Sequence, residues 1–549
     1  MPRAVQTMIA LALPLVLAAG GCMGPRTAAY APTGVARPIK RPLPTTAPKA
    51  LPTATNSFQQ PTPAPTATAP TTAPTATPRP SPTPIAKLPP VLGQPVAINP
   101  DVVSGFTSET RNYLVLGVAG EPPGSFKLAF DSEAAADTGT AYRTLSSSPG
   151  DFHTALRRFE AERLEGAPAP RYALQQAAAP LQRGQELPFY VITGFDTANY
   201  EDVKITARLE EVGEHCYVFV DKDIAPSDAP KMAQRAREIA QVFDSRIHPT
   251  NTRLFGAEPR PGVDGDPRIV ILISPAVGNY GKDNTLGFFS QRDAYKPEAD
   301  PRPIFQHSNA REMIYVSSRI VLTGAADDYL GTIAHEFQHM INFNQKVLVG
   351  KNTQSDDLWI DEGMAMYAIE ANGYGLKQGG AVLANHVRRF QLEPDAFSLT
   401  DWKGNPDGIG YGPVYLFMVY LADRFSETVI RDIVTSTGIG VENLDKVLSG
   451  RGTNFERVFH DWAMANWIDG RTLGGSPHHH YQSLTMIGYN GKTKLNGFQA
   501  QALEAAGAVS PTLRPHTIRY YELPRGPERP RFTLTPGASA DLFPRLVLP

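Results

Sequence analysis

The chain has 549 residues, a length for about three ordinary domains, with 52 basic against 54 acidic residues and a net charge of −2. That balance lacks the basic footprint of a nucleic-acid binder. The two cysteines, Cys22 and Cys216, exclude a disulfide scaffold, a Cys-ligated zinc finger and an iron–sulfur cluster.

The charge is uneven. Residues 1–100 hold eight Lys or Arg, no Asp or Glu, and 22 of the 51 prolines, so the remainder of the chain is mildly acidic. Residues 1–21 read as a signal peptide: Arg3 and the free amine give a positive start, and residues 8–21 are uncharged and mostly apolar. That run is too short to span a bilayer. Ala19-Gly20-Gly21-Cys22 resembles the lipobox of bacterial lipoproteins, with Ala19 where Leu is usual. Lipidation of Cys22 is therefore expected, with plain secretion as the alternative. Residues 22–95 are dominated by Pro, Thr and Ala. They carry too few large apolar side chains for a core and favour extended backbone, so they form a semi-rigid spacer. A signal, a cysteine and a stalk predict an extracytoplasmic body held away from a membrane. No later segment reaches 18 consecutive apolar residues, so the body is expected to be soluble.

Residues 96–214 read as a mostly β N-terminal domain. Segments 112–130 and 187–220 alternate apolar and polar residues as half-buried strands do, and a helix is expected near 151–164. No chemical motif stands out there. From 215 to 470 strands and helices alternate. Strands are predicted at 217–220, 269–273 and 313–316, with Cys216 a small buried hydrophobe beside the first. Ser227 or Asp228 caps a helix carrying Met232, Ala236, Ile239 and Phe243 at spacings of three and four. Another helix starts near Asp327 or Asp328, and 383–396, 411–425 and 455–468 are also helical. Residues 471–549 are a C-terminal extension, partly β at 518–523 and 531–534. The run His478-His479-His480 reads as a solvated loop.

The chemistry sits in GTIAHEFQHMINFN at 331–344. On a helix, His335 and His339 project from one face, one above the other. That separation suits two imidazoles on one tetrahedral Zn²⁺. Glu336 lies one step round, where a carboxylate can take a proton from a metal-bound water whose pKa the ion has lowered. The flanking Ile333, Ala334, Phe337, Met340 and Ile341 predict a buried helix, in which unpaired imidazoles would be costly. A third ligand is required. One common pattern takes a His six residues past the second His, but position 345 is Gln. Another takes a Glu from a following helix, and WIDEGMA at 359–365 offers Glu362, with Gly363 and Ala365 small enough for close helix approach. Asp361 is a second candidate ligand or an acceptor behind one.

HEFQHMINF followed by WIDEGMAMYA resembles the hyicolysin family of bacterial metallopeptidases, within the gluzincin class. The resemblance runs from about 200 to 470 and includes DGDPRIVILISPA, YGPVYLFMVYLADRF and FERVFHDWAMANWIDG. It implies an α+β zincin fold with an active-site helix beneath a small sheet. It also implies one catalytic zinc held by His335, His339 and Glu362, Glu336 as general base, and protein or peptide substrates. A GAMEN-type exopeptidase motif is absent, which favours internal cleavage. Gluzincins also hold the oxyanion with a Tyr or His. Tyr411, at a Gly-flanked helix start, is the better candidate and Tyr415 the weaker. Two other readings fit these residues: a binding or adhesion lipoprotein on a zincin scaffold, and a processing peptidase dedicated to one partner.

Overall fold

The structure is a computed structural model that describes residues 86–87, 96–98, 113–119, 124–130, 152–164, 167, 179–195, 199–278, 285–402, 410–471, 473, 476–503, 508–510, 512–523, 532–536 and 541–547. The signal peptide, Cys22 and almost all of the Pro/Thr/Ala-rich spacer lie outside them. The described residues all fall in one compact unit, Pro78–Pro549.

Helix α1 (Phe152–Arg163) leads into a six-stranded sheet. Its strands are β1 (Glu186–Phe195), β2 (Tyr200–Val212), β3 (Cys216–Asp221), β4 (Ile269–Ser274), β5 (Gly287–Phe289) and β6 (Met313–Ser317). The spatial order is β1-β2-β3-β4-β6-β5. Strands β3, β4 and β6 run parallel, and β5 pairs antiparallel with β6 at one edge. The three central strands are buried at every position. This is why they read as unbroken apolar runs while β2, with one wet face, alternates. Cys216 is buried at the start of β3, as expected.

Between β3 and β4 runs α2 (Ala229–Val242), which buries Met232, Ala236 and Ile239. Asp228 occupies its N-cap, but neither expected capping bond forms, and Pro230 in the first turn sets the start instead. The lower half is helical: α3 (Ala326–Phe343), α4 (Leu358–Ala371), α5 (Ala381–Leu392), α6 (Tyr411–Phe425) and α7 (Phe455–Ile468). Helix α3 buries 14 of its residues, among them His335, Glu336, Gln338, His339 and Asn342 beside the apolar ones. The α+β class and the helix-under-sheet arrangement are as expected. Among the described residues no helix is long and apolar enough to cross a membrane.

Strand pairing crosses the domain divisions drawn from the sequence. The division at 214/215 falls between β2 and β3, which are antiparallel neighbours in one sheet. Strand Tyr113–Ala119 pairs on one side with Asp541–Val547 and on the other with Thr517–Glu522, while Gly124–Phe130 pairs with Phe532–Pro536. Strands from the two ends of the described chain thus build sheets together. Alternation shows that a strand exists and has one buried face, but it does not name a partner.

Candidate active site

Helix α3 carries His335 and His339 one turn apart, and their Nε2 atoms face each other at 3.1 Å. Glu362, in the first half of α4, brings Oε2 to 3.4 Å from His335 Nε2 and 3.7 Å from His339 Nε2. Ligands about 2.0–2.1 Å from a tetrahedral zinc stand about 3.4 Å from one another, and these three atoms have that spacing. All three residues are buried. Neither carboxylate oxygen of Glu362 has a hydrogen-bond partner among the described residues, nor does His335 Nδ1. Orphaned buried polar atoms are costly, and a cation between them removes the cost for Glu362. The donor set therefore fits a divalent zinc ion.

Electrostatics give the same answer. Burial alone would lower His339, yet Asp361 and Glu362 together push it up to about 10. Glu362 is held well below the usual carboxylate range: its burial works the other way, and His339 and His335 outweigh it. The pocket stabilises positive charge. Behind His339 stands Asp361, with Oδ1 3.1 Å from His339 Nδ1 and accepting from Asn342 Nδ2 at 2.6 Å.

Glu336 is buried, with Oε1 4.0 Å from His335 Nε2 and Oε2 unpartnered among the described residues. It borders a cavity of about 580 Å³ that His335, Met366, Tyr374, His386 and Tyr411 also line. Edge strand β5 forms one wall. A Cβ on Gly287 would lie 2.7 Å from both Tyr315 O and Thr332 Cγ2 and 3.6 Å from Glu336 Cγ, so only glycine lets this strand sit against α3 beside the carboxylate. Gly363 also provides close approach, but toward α6: its Cβ would meet Met418 Cε at 2.9 Å and Val414 Cβ at 3.4 Å.

Tyr411 lines the cavity between the rings of His386 and Trp402, 5.3 and 5.2 Å away. Burial and Arg389 lower His386 to about 4, so this imidazole is neutral. Tyr415 points elsewhere and donates to Glu370 Oε2 at 2.5 Å in the core. The His478–His480 run gains carboxylate neighbours from other elements: His479 is 3.5 Å from Asp461 and His480 is 3.7 Å from Asp469. Among the described residues it joins no group that could hold a metal.

Sequence reasoning expected a helix near 151–164, where α1 stands, but missed its part in the site. His153 lines the cavity, with Nδ1 3.9 Å from Glu336 Oε1. Arg157, one turn on, reaches 3.9 Å from Asp361 Oδ2 and donates to Phe289 O and to Glu160. Glu160, fully buried, accepts from Ser290 Oγ and Gln291 N. One helix face thus meets Asp361, Glu336 and the end of β5. The signal available was small: His153 is the sole His before position 215, and 153, 157 and 160 share a face.

No protein-family model matches the chain. The neutral metalloprotease ShpI of Staphylococcus hyicus is 27% identical over 307 residues, which are 52% of this chain and 65% of that protein. This chain is similar to a bacterial metalloprotease. The match spans slightly less than two thirds of that relative. The crystal structure of an M1 zinc metallopeptidase from Deinococcus radiodurans aligns over 54% of this chain and 63% of that one, at 13% identity and a TM-score of 0.29.

Proposed function

We propose that the protein is a zinc-dependent endopeptidase whose ion is held by His335, His339 and Glu362. The observation that carries the reading is the 3.1–3.7 Å spacing of three buried ligand atoms beside an unpartnered carboxylate at a cavity. The similarity to a metalloprotease supports it. When bound, zinc lowers the pKa of a water and polarises the scissile carbonyl. Glu336 is the carboxylate that would accept a proton from the attacking water and return it to the leaving amine. Tyr411 donates a hydrogen bond to the oxyanion. Strand β5, at the sheet edge, offers backbone groups to an extended peptide lying in the cavity. The protein works outside the cytoplasm, tethered through a lipid on Cys22, and acts on proteins or peptides.

The test is metal content and casein hydrolysis by the full chain, with and without chelator. About one zinc per chain and chelator-sensitive hydrolysis are expected. Glu362→Ala should lose both. Glu336→Gln should keep zinc and lose activity by at least about 10²-fold, the usual cost of removing a general base. A wild-type chain without zinc, or hydrolysis indifferent to chelator, rejects the reading. For the tether, Cys22→Ser should abolish acyl labelling and release the protein from membranes; an unlabelled wild type leaves plain secretion.

A further inference from the structure

The stretch before residue 215 carries no motif, yet α1 delivers a side chain to the reacting centre. His153 is only partly exposed, and its ring stands edge-on to that of His335 at 6.0 Å. A nitrogen of His153, a nitrogen of His335 and an oxygen of Glu336 lie within 4.8 Å of one another, so they converge on one point. His153 Nδ1 and Glu336 Oε2 are buried without a hydrogen-bond partner among the described residues. The 3.9 Å from His153 Nδ1 to Glu336 Oε1 is too long for a direct hydrogen bond. It is the span that one oxygen atom bridges when it bonds both groups, as a water or a tetrahedral oxyanion does.

The ring is held there by its helix. Phe152 packs against Phe288 of β5 at 5.0 Å and stacks on Phe195 of β1 at 5.4 Å. Arg157 ties the next turn to Phe289 O at 3.1 Å, and Glu160 ties the one after to Ser290 and Gln291 at 2.8 Å. Three successive turns of α1 are thus fastened to the edge strand that borders Glu336 and to the two residues that follow it. An imidazole so fixed has the preorganisation that transition-state stabilisation requires.

We infer that His153 is a catalytic residue: its Nδ1–H donates a hydrogen bond to the oxygen that Glu336 activates and that becomes part of the tetrahedral intermediate. Residues 152–163 are then part of the working enzyme, and not a segment that must be removed to release activity. This inference rests on the peptidase reading above.

The experiment compares the wild-type full chain with His153→Ala and His153→Gln. It measures zinc per chain, kcat and KM on one peptide, and the Ki of a peptide phosphonamidate, whose tetrahedral phosphorus mimics the intermediate. His153→Ala is expected to keep one zinc and the wild-type melting temperature. It should lose about 10²-fold in kcat, the scale of one oxyanion donor, with KM little changed. The phosphonamidate Ki should rise by the same factor, because both report transition-state binding. His153→Gln, which can offer an amide donor, should recover part of the loss. A His153→Ala variant within about threefold of wild type overturns the inference. So does a loss that follows zinc content or KM alone. A wild-type chain that neither holds zinc nor cleaves peptide overturns the peptidase reading as well. A wild type that does both beside an unimpaired His153→Ala overturns the role of His153 only.

Discussion

Asp361 Oδ1 stands 3.1 Å from His339 Nδ1, on the side of the imidazole away from His335 and Glu362. A carboxylate in that place orients an imidazole and raises the basicity of its other nitrogen. Carboxylates behind metal-bound histidines commonly contribute 10–100-fold in affinity. Asp361→Asn keeps the shape and removes the charge. Its zinc affinity, measured by competition with a chromophoric chelator, should fall by about 10–100-fold. Activity in saturating zinc should recover most of the way. Unchanged affinity would show that the ring is held without the Asp361 charge.

Tyr411 and Tyr415 have separable roles. Tyr411 lines the cavity, whereas Tyr415 is buried and donates to Glu370. Tyr411→Phe should keep zinc and lower kcat by roughly 10–10³-fold with little change in KM, as loss of an oxyanion donor does. Tyr415→Phe leaves a buried carboxylate short of its donor. It should cost about 1–3 kcal/mol of stability, read from the denaturant midpoint, and leave kcat near wild type. If Tyr411→Phe is silent, the oxyanion is held by other groups.

Gly287 supplies a steric test of the wall beside Glu336. A Cβ there would meet a carbonyl oxygen and a methyl at 2.7 Å, so Gly287→Ala must push β5 from β6 or from α3. Overpacking of this kind costs roughly 1–3 kcal/mol. The variant should therefore melt earlier and, because β5 also anchors α1, lose kcat beyond what its folded fraction explains. Wild-type kcat per folded molecule would show that the strand can shift without consequence for catalysis.

Those features differ in how far the sequence reveals them. His335, Glu336 and His339 lie within one and a half turns of one helix, so spacing alone puts them on one side. Glu362 is 23 residues past His339, legible because it lies in a following helix beside the small Gly363 and Ala365. The bounds of α6 and α7 follow from unbroken apolar periodicity and match the expected 411–425 and 455–468. What stayed hidden depends on docking between segments distant in the chain. His153 acquires meaning only when α1 lies on β5, and a polar helix face reads as solvated until something covers it. The pairing of 113–119 with 541–547 likewise joins opposite ends of the chain. No local pattern encodes such register.

Away from the candidate metal site, Glu312 links stability to pH. Its carboxylate is buried, and Val263 N donates to both oxygens, at 2.9 and 3.0 Å. Burial, with Asp264 nearby adding to it, pushes Glu312 from its ordinary 4.5 up to about 8, against the Val263 hydrogen bond. The unfolded chain gives up this proton near 4.5 and the folded chain near 8. Between those values the folded state holds more protons, so ionisation works against folding. The contribution is fully present below about pH 4.5, falls as pH rises, and is gone above about pH 8. The slope is on the order of 1 kcal/mol per pH unit. Asp356, raised to about 7, adds a similar trend, so the wild type alone does not isolate Glu312. Glu312→Gln does, because glutamine cannot ionise and still offers Val263 an acceptor oxygen. Urea midpoints of both proteins at pH 5, 6.5, 8 and 9 should show the wild type losing stability relative to the variant up to pH 8. The difference should then level off. A difference constant across the series would mean that Glu312 ionises in the fold at its ordinary pH.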